Sequence, residues 1–366
     1  MTPAPFPRPE HRRHVAVDAA EPRLCGESRG RQLADGLHAT LDAYHRLFTL
    51  AGIPPTTVRD DADRALDAVG AFRPALREQI EGIAHGAAVE PWQIAALNAR
   101  TEILARSRAV PPGECSTVVR RLRTADGATT HLGVQTWDWH VELAACWHTL
   151  DSAGGAHRYV GLTEHGILAK IGVNSAGLAL HFNILGHRDD RVGGLPVHVL
   201  AALVLEEAGS AEHAREILHD APLTSSGSFT LFDRDGALLL DLSPAGIFEA
   251  PEAAEGTHLR TNHFLTPVPA EHEKTWLYQP DSGERYAFLH DRLTRRPAQR
   301  AEELIEHLVT GPGEPPVTCL PDPAGRAGHR WASLATVLLD PAARTAHVLD
   351  GTPAEHTTRP WHTLTA

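Results

Sequence analysis

The sequence predicts an α+β fold in which antiparallel sheets lie between helical layers. Three observations predict it. The region before residue 111 carries apolar residues at helical spacing, short β-rich runs begin abruptly at Cys115, and paired helical stretches return between two later β blocks. Neither a solenoid-type repeat nor a low-complexity linker divides residues 115–366, which read as one domain with the N-terminal helices packed on it.

Residues 1–22 are rich in Pro, Arg and His without apolar periodicity, and are expected to form a disordered, mobile arm. Between Ser28 and Ala51, Leu33, Leu37, Leu41, Tyr44 and Leu47 recur at three- and four-residue intervals, the apolar face of a helix. The same pattern predicts helices over 73–87 and 91–108, the second with Pro91 in its first turn. The break Pro111-Pro112-Gly113-Glu114 follows. After it come the strand candidates CSTVVRRL, THLGVQTWDW, RYVGLTE, GILAKIGVNSAG and LALHFNI. Helical spacing returns over 195–208 and 210–221, where Ser210 is placed to cap the second helix. SFTLFDRDGALLLDLS reads as a hairpin turning at Asp235-Gly236, and HLRTNHFL as another strand. Helices over 282–293 and 300–310 precede a last hairpin, WASLATVLLDPAARTAHVLDG.

Composition narrows the function. Asp and Glu number 46 against 34 Lys and Arg, and the resulting charge of -12 repels nucleic acid and anionic lipid surfaces. No apolar run is long enough for a membrane helix, and the basic N-terminal residues have no apolar segment behind them, so a cytoplasmic protein is expected. The four cysteines, Cys25, Cys115, Cys146 and Cys319, contain no CxxC pair and read as free thiols. The 24 histidines are scattered, with no HExxH or similarly spaced cluster, and no metal or cofactor is implied.

Cys115 is the residue with chemistry to offer. It follows a Pro-Pro-Gly-Glu turn and opens a strand, where a nucleophile released by cleavage of the preceding bond would stand. A thiol attacks only as the thiolate and needs a base. If the Glu114–Cys115 bond breaks, the new α-amine, with an unperturbed pKa of about 7.7 to 8.0, lies within reach of its own side chain. A packed, inert thiol is the other reading of the same residue.

Six blocks, GECSTV at 113–118, VQTWDW at 134–139, KIGVNSAGLAL at 170–180, LPVHVL at 195–200, SSGSFTLFDRDG at 225–236 and TNHF at 261–264, together resemble peptidase family C45. That family holds the acyl-coenzyme A:6-aminopenicillanate acyltransferases and related amidohydrolases. The resemblance implies an Ntn-hydrolase αββα sandwich, made as a precursor that cuts itself before the cysteine. The products would be a helical part, 23–114 behind the arm, and a catalytic part, 115–366, which stay associated. Cys115 aligns with the family's nucleophile, Asp138 with the acidic residue assisting self-cleavage, and Asn262 with the donor to the oxyanion. Thr117 matches a hydroxyl residue near the cleavage site. In GHRWASLATVLLD, Arg330 fits a family arginine whose guanidinium could hold Asp138 or a substrate carboxylate. Two positions depart from the pattern: Glu114 stands where the family has Gly, and Thr136 where it has Asn.

The expected function is an autoproteolytic cysteine amidohydrolase or acyltransferase acting on a small-molecule amide or acyl donor through an acyl-enzyme on Cys115, without cofactor. The alternative is an uncleaved, inactive scaffold of the same fold that binds a small molecule or a protein, a reading that rests on Glu114 and Thr136. The abundance of His keeps a metal-binding protein as a third reading.

Overall fold

Helices occupy the chain up to residue 104 and strands take over at Cys115. The computed structural model describes residues 6, 8–110, 115–123, 127–278 and 281–366. After β1 (His14–Val17) come five helices: α1 (Pro22–Leu50), α2 (Pro55–Phe72), α3 (Pro74–Gly86), α4 (Pro91–Asn98) and α5 (Arg100–Leu104). Proline opens each of the first four, where its fixed φ suits the helix and its missing N–H costs nothing. α1 and α3 cross at glycines: a Cβ on Gly30 would lie 2.2 Å from the Ile83 carbonyl oxygen, and one on Gly82 2.3 Å from that of Arg23. α2 was not anticipated from the sequence. The single helix expected over 91–108 divides at Ala99, where the Asn98 amide donates to both Ile94 O and Gly166 O.

The strand-rich region begins with β2 (Cys115–Arg123), β3 (Thr129–His140), β4 (Trp147–Ser152), β5 (Tyr159–Glu164), β6 (Ile171–Asn174) and β7 (Ala179–Ile184). Helices α6 (Val197–Glu207) and α7 (Ala211–Asp220) follow, then β8 (Gly227–Phe232), β9 (Ala237–Ser243), β10 (Gly246–Ala250) and β11 (Thr257–Arg260). The chain continues through α8 (Pro267–Ala270), α9 (Thr275–Tyr278), α10 (Asp281–Arg295) and α11 (Ala301–His307) to β12 (Trp331–Asp340), β13 (Thr345–Leu349) and β14 (Trp361–Thr365). The expected hairpin at Asp235-Gly236 forms, with the Asp233 carboxylate accepting both turn amides.

The strands make two sheets. One has the order β1-β4-β5-β6-β7-β8-β9-β10, with only β1 running parallel to its neighbour; the other, β11-β2-β3-β12-β13-β14, is antiparallel throughout. They face each other through contacts such as β2 on β7 and β12 on β6. α6 and α7 cover the outside of the first sheet, and α10 and α11 that of the second. This is the expected α+β sandwich of helix, sheet, sheet and helix. Val118, Val134 and Leu259 on the outer face of the second sheet pack against Leu289, Leu293 and Leu304 of the covering helices.

The mobile arm expected over 1–22 is not what residues 8–22 form. Residues 14–17 pair with Thr149–Ser152 as β1, and the Arg12 guanidinium is buried over the Trp147 ring, bonded to both oxygens of Asp350. An arginine and two valines with buried partners outweigh the polar composition that suggested disorder. Glu114, half of the expected cleavage bond, lies outside the described residues.

Candidate active site

Strand alternation decides which side chains meet. Cys115 is the first residue of β2 and pairs with Trp137 of β3. Side chains at 115 and 117, and at 135, 137 and 139, therefore point into the space between the sheets. Thr117 Oγ1 donates to Asn183 Oδ1 of β7 at 2.8 Å, and Gln135 Nε2 to the Phe182 carbonyl at 2.6 Å. Ser116, Thr136, Asp138 and Ser333 project from the opposite face, toward α10. There Arg285 Nη1 donates to Ser116 Oγ at 2.9 Å, while Ser333 Oγ (2.6 Å) and Thr136 Oγ1 (3.4 Å) donate to the Asp138 carboxylate. The thiol and the carboxylate thus stand on opposite faces of one strand pair.

The backbone of Cys115 is held at both ends. Its N–H donates to Asn262 Oδ1 at 2.8 Å, and its carbonyl accepts from Asn183 Nδ2 and Arg285 Nη1, each at 3.1 Å. Asn262 arrives opposite Cys115 because β11 pairs Arg260 with Thr117, a register that extended by two residues sets 262 against 115. The Asn262 amide nitrogen donates to Ile184 O at 2.9 Å, and its backbone N–H to Ser282 Oγ. Arg285 Nη2 also reaches Asn262 Oδ1, at 3.2 Å, and Asp281 fixes the guanidinium through Nε at 2.7 Å.

Burial governs the charges. It pushes the Cys115 thiol up to about 12, with the nearby Asp138 charge adding to the rise and Lys170 and Arg285 opposing it. Burial also raises Asp138 to about 7, against the hydrogen bond from Ser333. Lys170 follows β5 on the loop into β6. Its ammonium lies 4.7 Å from the Trp137 ring centroid and 3.0 Å from Glu164 Oε1, and burial lowers it to about 8. Burial works against the Glu164 carboxylate, yet Arg100 and Lys170 bring it down to about 2.

Of the residues singled out in the sequence, Cys115, Thr117, Asp138 and Asn262 converge at the start of β2. Arg330 does not join them. It precedes β12, its carbonyl accepts from Val141 N, and its side chain turns to the nearby Glu142 at 2.8 Å, more than a third exposed. Of the two partners expected for Arg330, Asp138 or a substrate carboxylate, the first is held by hydroxyls instead, because Ser333 is the β12 residue that pairs with Asp138. The arginine in the site is Arg285, which sequence reasoning missed. A signal was present: Ser282, Arg285, Leu289 and Leu293 form the buried stripe of α10, and an arginine in such a stripe needs a partner. Asn183, Ser333, Lys170, Glu164 and Arg100 were also missed as site residues. Each occupies a buried position that the fold supplies with partners from distant segments.

A cleft of about 500 Å³, its mouth included, adjoins Asn262 through Ile184. Leu104, Val110, Trp139 and Leu277 make it mainly apolar, and Glu102 and Ser225 mark a polar end. Among the described residues, no three His, Cys, Asp or Glu side chains are grouped as metal ligands, and no helix is long and apolar enough to cross a membrane.

The sequence model of the family described as acyl-coenzyme A:6-aminopenicillanic acid acyl-transferase matches residues 124–355, more than half of the chain. The chain belongs to that family. The matched stretch of this acyltransferase family member begins beyond Cys115 and Thr117 and takes in Asp138, Asn262 and Arg330. A relative in Emericella nidulans, the 40 kDa form of acyl-coenzyme A:6-aminopenicillanic-acid-acyltransferase, is 30% identical over 229 residues, which span 60% of this chain and 60% of that one. Among solved structures, a variant of the conjugated bile acid hydrolase of Clostridium perfringens aligns with 68% of this chain and 92% of its own at TM-score 0.44 and 12% identity. The penicillin V acylase of Agrobacterium tumefaciens aligns with 68% of this chain and 86% of its own at TM-score 0.40 and 12% identity.

Proposed function

We propose that this family member is a self-processing N-terminal-nucleophile enzyme that transfers or hydrolyses acyl groups of small-molecule amides through Cys115. The observation that carries the reading is the hydrogen bond from Cys115 N–H to Asn262 Oδ1, with the thiol of the same residue in the space between the sheets. A nitrogen freed at that position is already held beside its own nucleophile.

Self-cleavage would run as an acyl shift. The Cys115 sulfur attacks the Glu114 carbonyl, the C–N bond breaks, and the departing nitrogen takes up a proton as it becomes the α-amine. Water then opens the thioester, leaving a carboxylate on Glu114 and a thiol on Cys115. In turnover the α-amine takes the thiol proton, the thiolate attacks the substrate carbonyl, and the proton passes to the leaving amine. Water or an acceptor amine resolves the acyl-enzyme. The second amide hydrogen of Asn262 is the donor we assign to the oxyanion, where a fixed donor contributes about 2.7 to 4 kcal/mol. Asp138 assists cleavage from behind the strand, and Asn183 and Arg285 fix the Cys115 carbonyl. The apolar cleft beside Ile184 receives the acyl group. Residues 23–114 remain bound afterwards, because Tyr44 and Arg100 enter the buried network around Glu164.

The reading is tested by incubating the purified protein with phenoxymethylpenicillin or a 4-nitrophenyl acyl ester and measuring intact mass after acid quench. Acylation of the fragment that begins at Cys115, absent from C115S, supports it. Turnover in C115S equal to that of the parent overturns it.

A further inference from the structure

Lys170 and Glu164 form a fully buried ion pair that the cleavage chemistry described above does not use. Lys170 Nζ lies 3.0 Å from Glu164 Oε1 and sits over the ring of Trp137, at 4.7 Å from its centroid. Trp137 is the cross-strand partner of Cys115 and shares its face of the sheet, so the ammonium shares the inter-sheet space with the thiol. Glu164 is bonded from two further directions, by Arg100 of α5 and by the Tyr44 hydroxyl of α1, which in turn accepts from Trp139 Nε1 at 3.1 Å. Arg100 stacks on Trp139 at 4.2 Å. The titratable groups facing Lys170 are Glu164 of β5, Arg100 of α5, His198 of α6 and Cys115 of β2, with Tyr44 of α1 reaching the pair through Glu164.

We propose that Lys170 is a positioning residue whose ammonium, kept charged by Glu164, stabilises the Cys115 thiolate, and that Tyr44 and Arg100 hold this pair in place. The inference rests on Cys115 being the nucleophile. A buried ammonium without a carboxylate partner gives up its proton, so Glu164 is what keeps Lys170 positive at neutral pH. Two of the four residues lie upstream of Cys115, so the N-terminal part of the chain contributes to the field at the nucleophile.

Lys170 acts on the Cys115 thiol against the effect of burial, and a neighbouring opposite charge shifts a titrating group by about one to three pH units. The test is the rate at which iodoacetamide labels Cys115 in the full chain from pH 7 to 10, read by peptide mass spectrometry, in the parent, K170M, K170R and E164Q. The rate at pH 7, below the titration of Lys170, should fall about tenfold in K170M, one pH unit being a factor of ten in thiolate. It should stay near the parent rate in K170R. E164Q should also label more slowly, although it removes a negative charge, because Lys170 then loses its proton. In the parent the slope of log rate against pH should flatten near pH 8, where Lys170 titrates, and in K170M and K170R it should run straight. A K170M rate and slope equal to the parent's overturn the inference; if K170M does not fold, faster labelling in E164Q overturns it. Intact mass of the same samples reports self-cleavage separately. Cleaved chains with an unchanged K170M profile contradict only the role of Lys170, whereas uncleaved chains contradict the maturation reading.

Discussion

Asn262 Oδ1 accepts the backbone N–H of Cys115 at 2.8 Å, although the two residues are far apart in the chain and β11 ends before Asn262. The register of β11 on β2 makes the meeting unavoidable, and it marks Cys115 out among four buried cysteines. N262A removes both the hold on the future α-amine and the proposed oxyanion donor. We expect kcat to fall by about 10² to 10³ on any substrate the parent turns over. N262D keeps the acceptor and loses the donor, so steady-state kinetics of the pair separates the two roles.

Asp138 and Ser333 predict a pH dependence. Burial raises the folded Asp138 to about 7, above the ordinary carboxylate value. A raised carboxyl contributes stability that is present at low pH and is lost as pH rises through the folded value, so the parent loses stability between about pH 4 and pH 7 on this account. D138N removes the ionisation. Its stability relative to the parent should rise over the same interval and level off above it, as measured by urea denaturation. D138N should also slow self-cleavage.

S333A takes away the shortest donor to that carboxylate. We expect a loss of about 1 to 3 kcal/mol. The pH for half-maximal cleavage should move upward, since the lost hydrogen bond was holding Asp138 down.

Arg330 and Arg285 separate in consequence. R330A breaks a partly exposed ion pair with Glu142 and should cost no more than about 1 kcal/mol, with cleavage intact. R285M removes the guanidinium from the Cys115 carbonyl, Ser116 and Asn262 and should slow cleavage strongly. A time course of the denatured fragments on a gel checks both.

Arg12 predicts that the N-terminal segment is structural. R12A leaves Asp350 buried without its guanidinium, and breaking a buried pair from one side costs about 3 to 5 kcal/mol. Thermal unfolding of R12A against R13A, whose guanidinium caps an exposed carbonyl, measures it.

Much of the fold was legible because its elements follow local rules. Leu33 to Leu47 repeat at helical spacing, Asp235-Gly236 turns a hairpin, and the change at Cys115 from helical spacing to short β-rich runs marks the first strand of the second sheet. Cys115, Asp138 and Asn262 were legible as a set only through motif resemblance. Nothing local to TNHF says that strand register will bring its Asn to Cys115. The reading failed where long-range partners override composition. Arg12 finds Asp350, so an arm becomes a strand and a buried anchor. Arg330 finds Glu142 next to it in space before it can reach Asp138. Arg285 and Lys170 are charges in buried positions; each has one partner near it in the chain, Asp281 and Glu164, but Cys115, Ser116 and Asn262 around Arg285 and Trp137 beside Lys170 come from segments that no spacing rule connects.

The most direct test of the central claim is the intact mass, under denaturing conditions, of the freshly purified protein beside C115A. Cleavage before Cys115 divides the 39.6 kDa chain after 114 of its 366 residues, giving pieces of roughly 12 and 27 kDa in proportion to length. Self-cleavage before Cys115 gives those two masses for the parent and one full-length mass for C115A. A single full-length mass for both, after prolonged incubation at neutral pH, would contradict it.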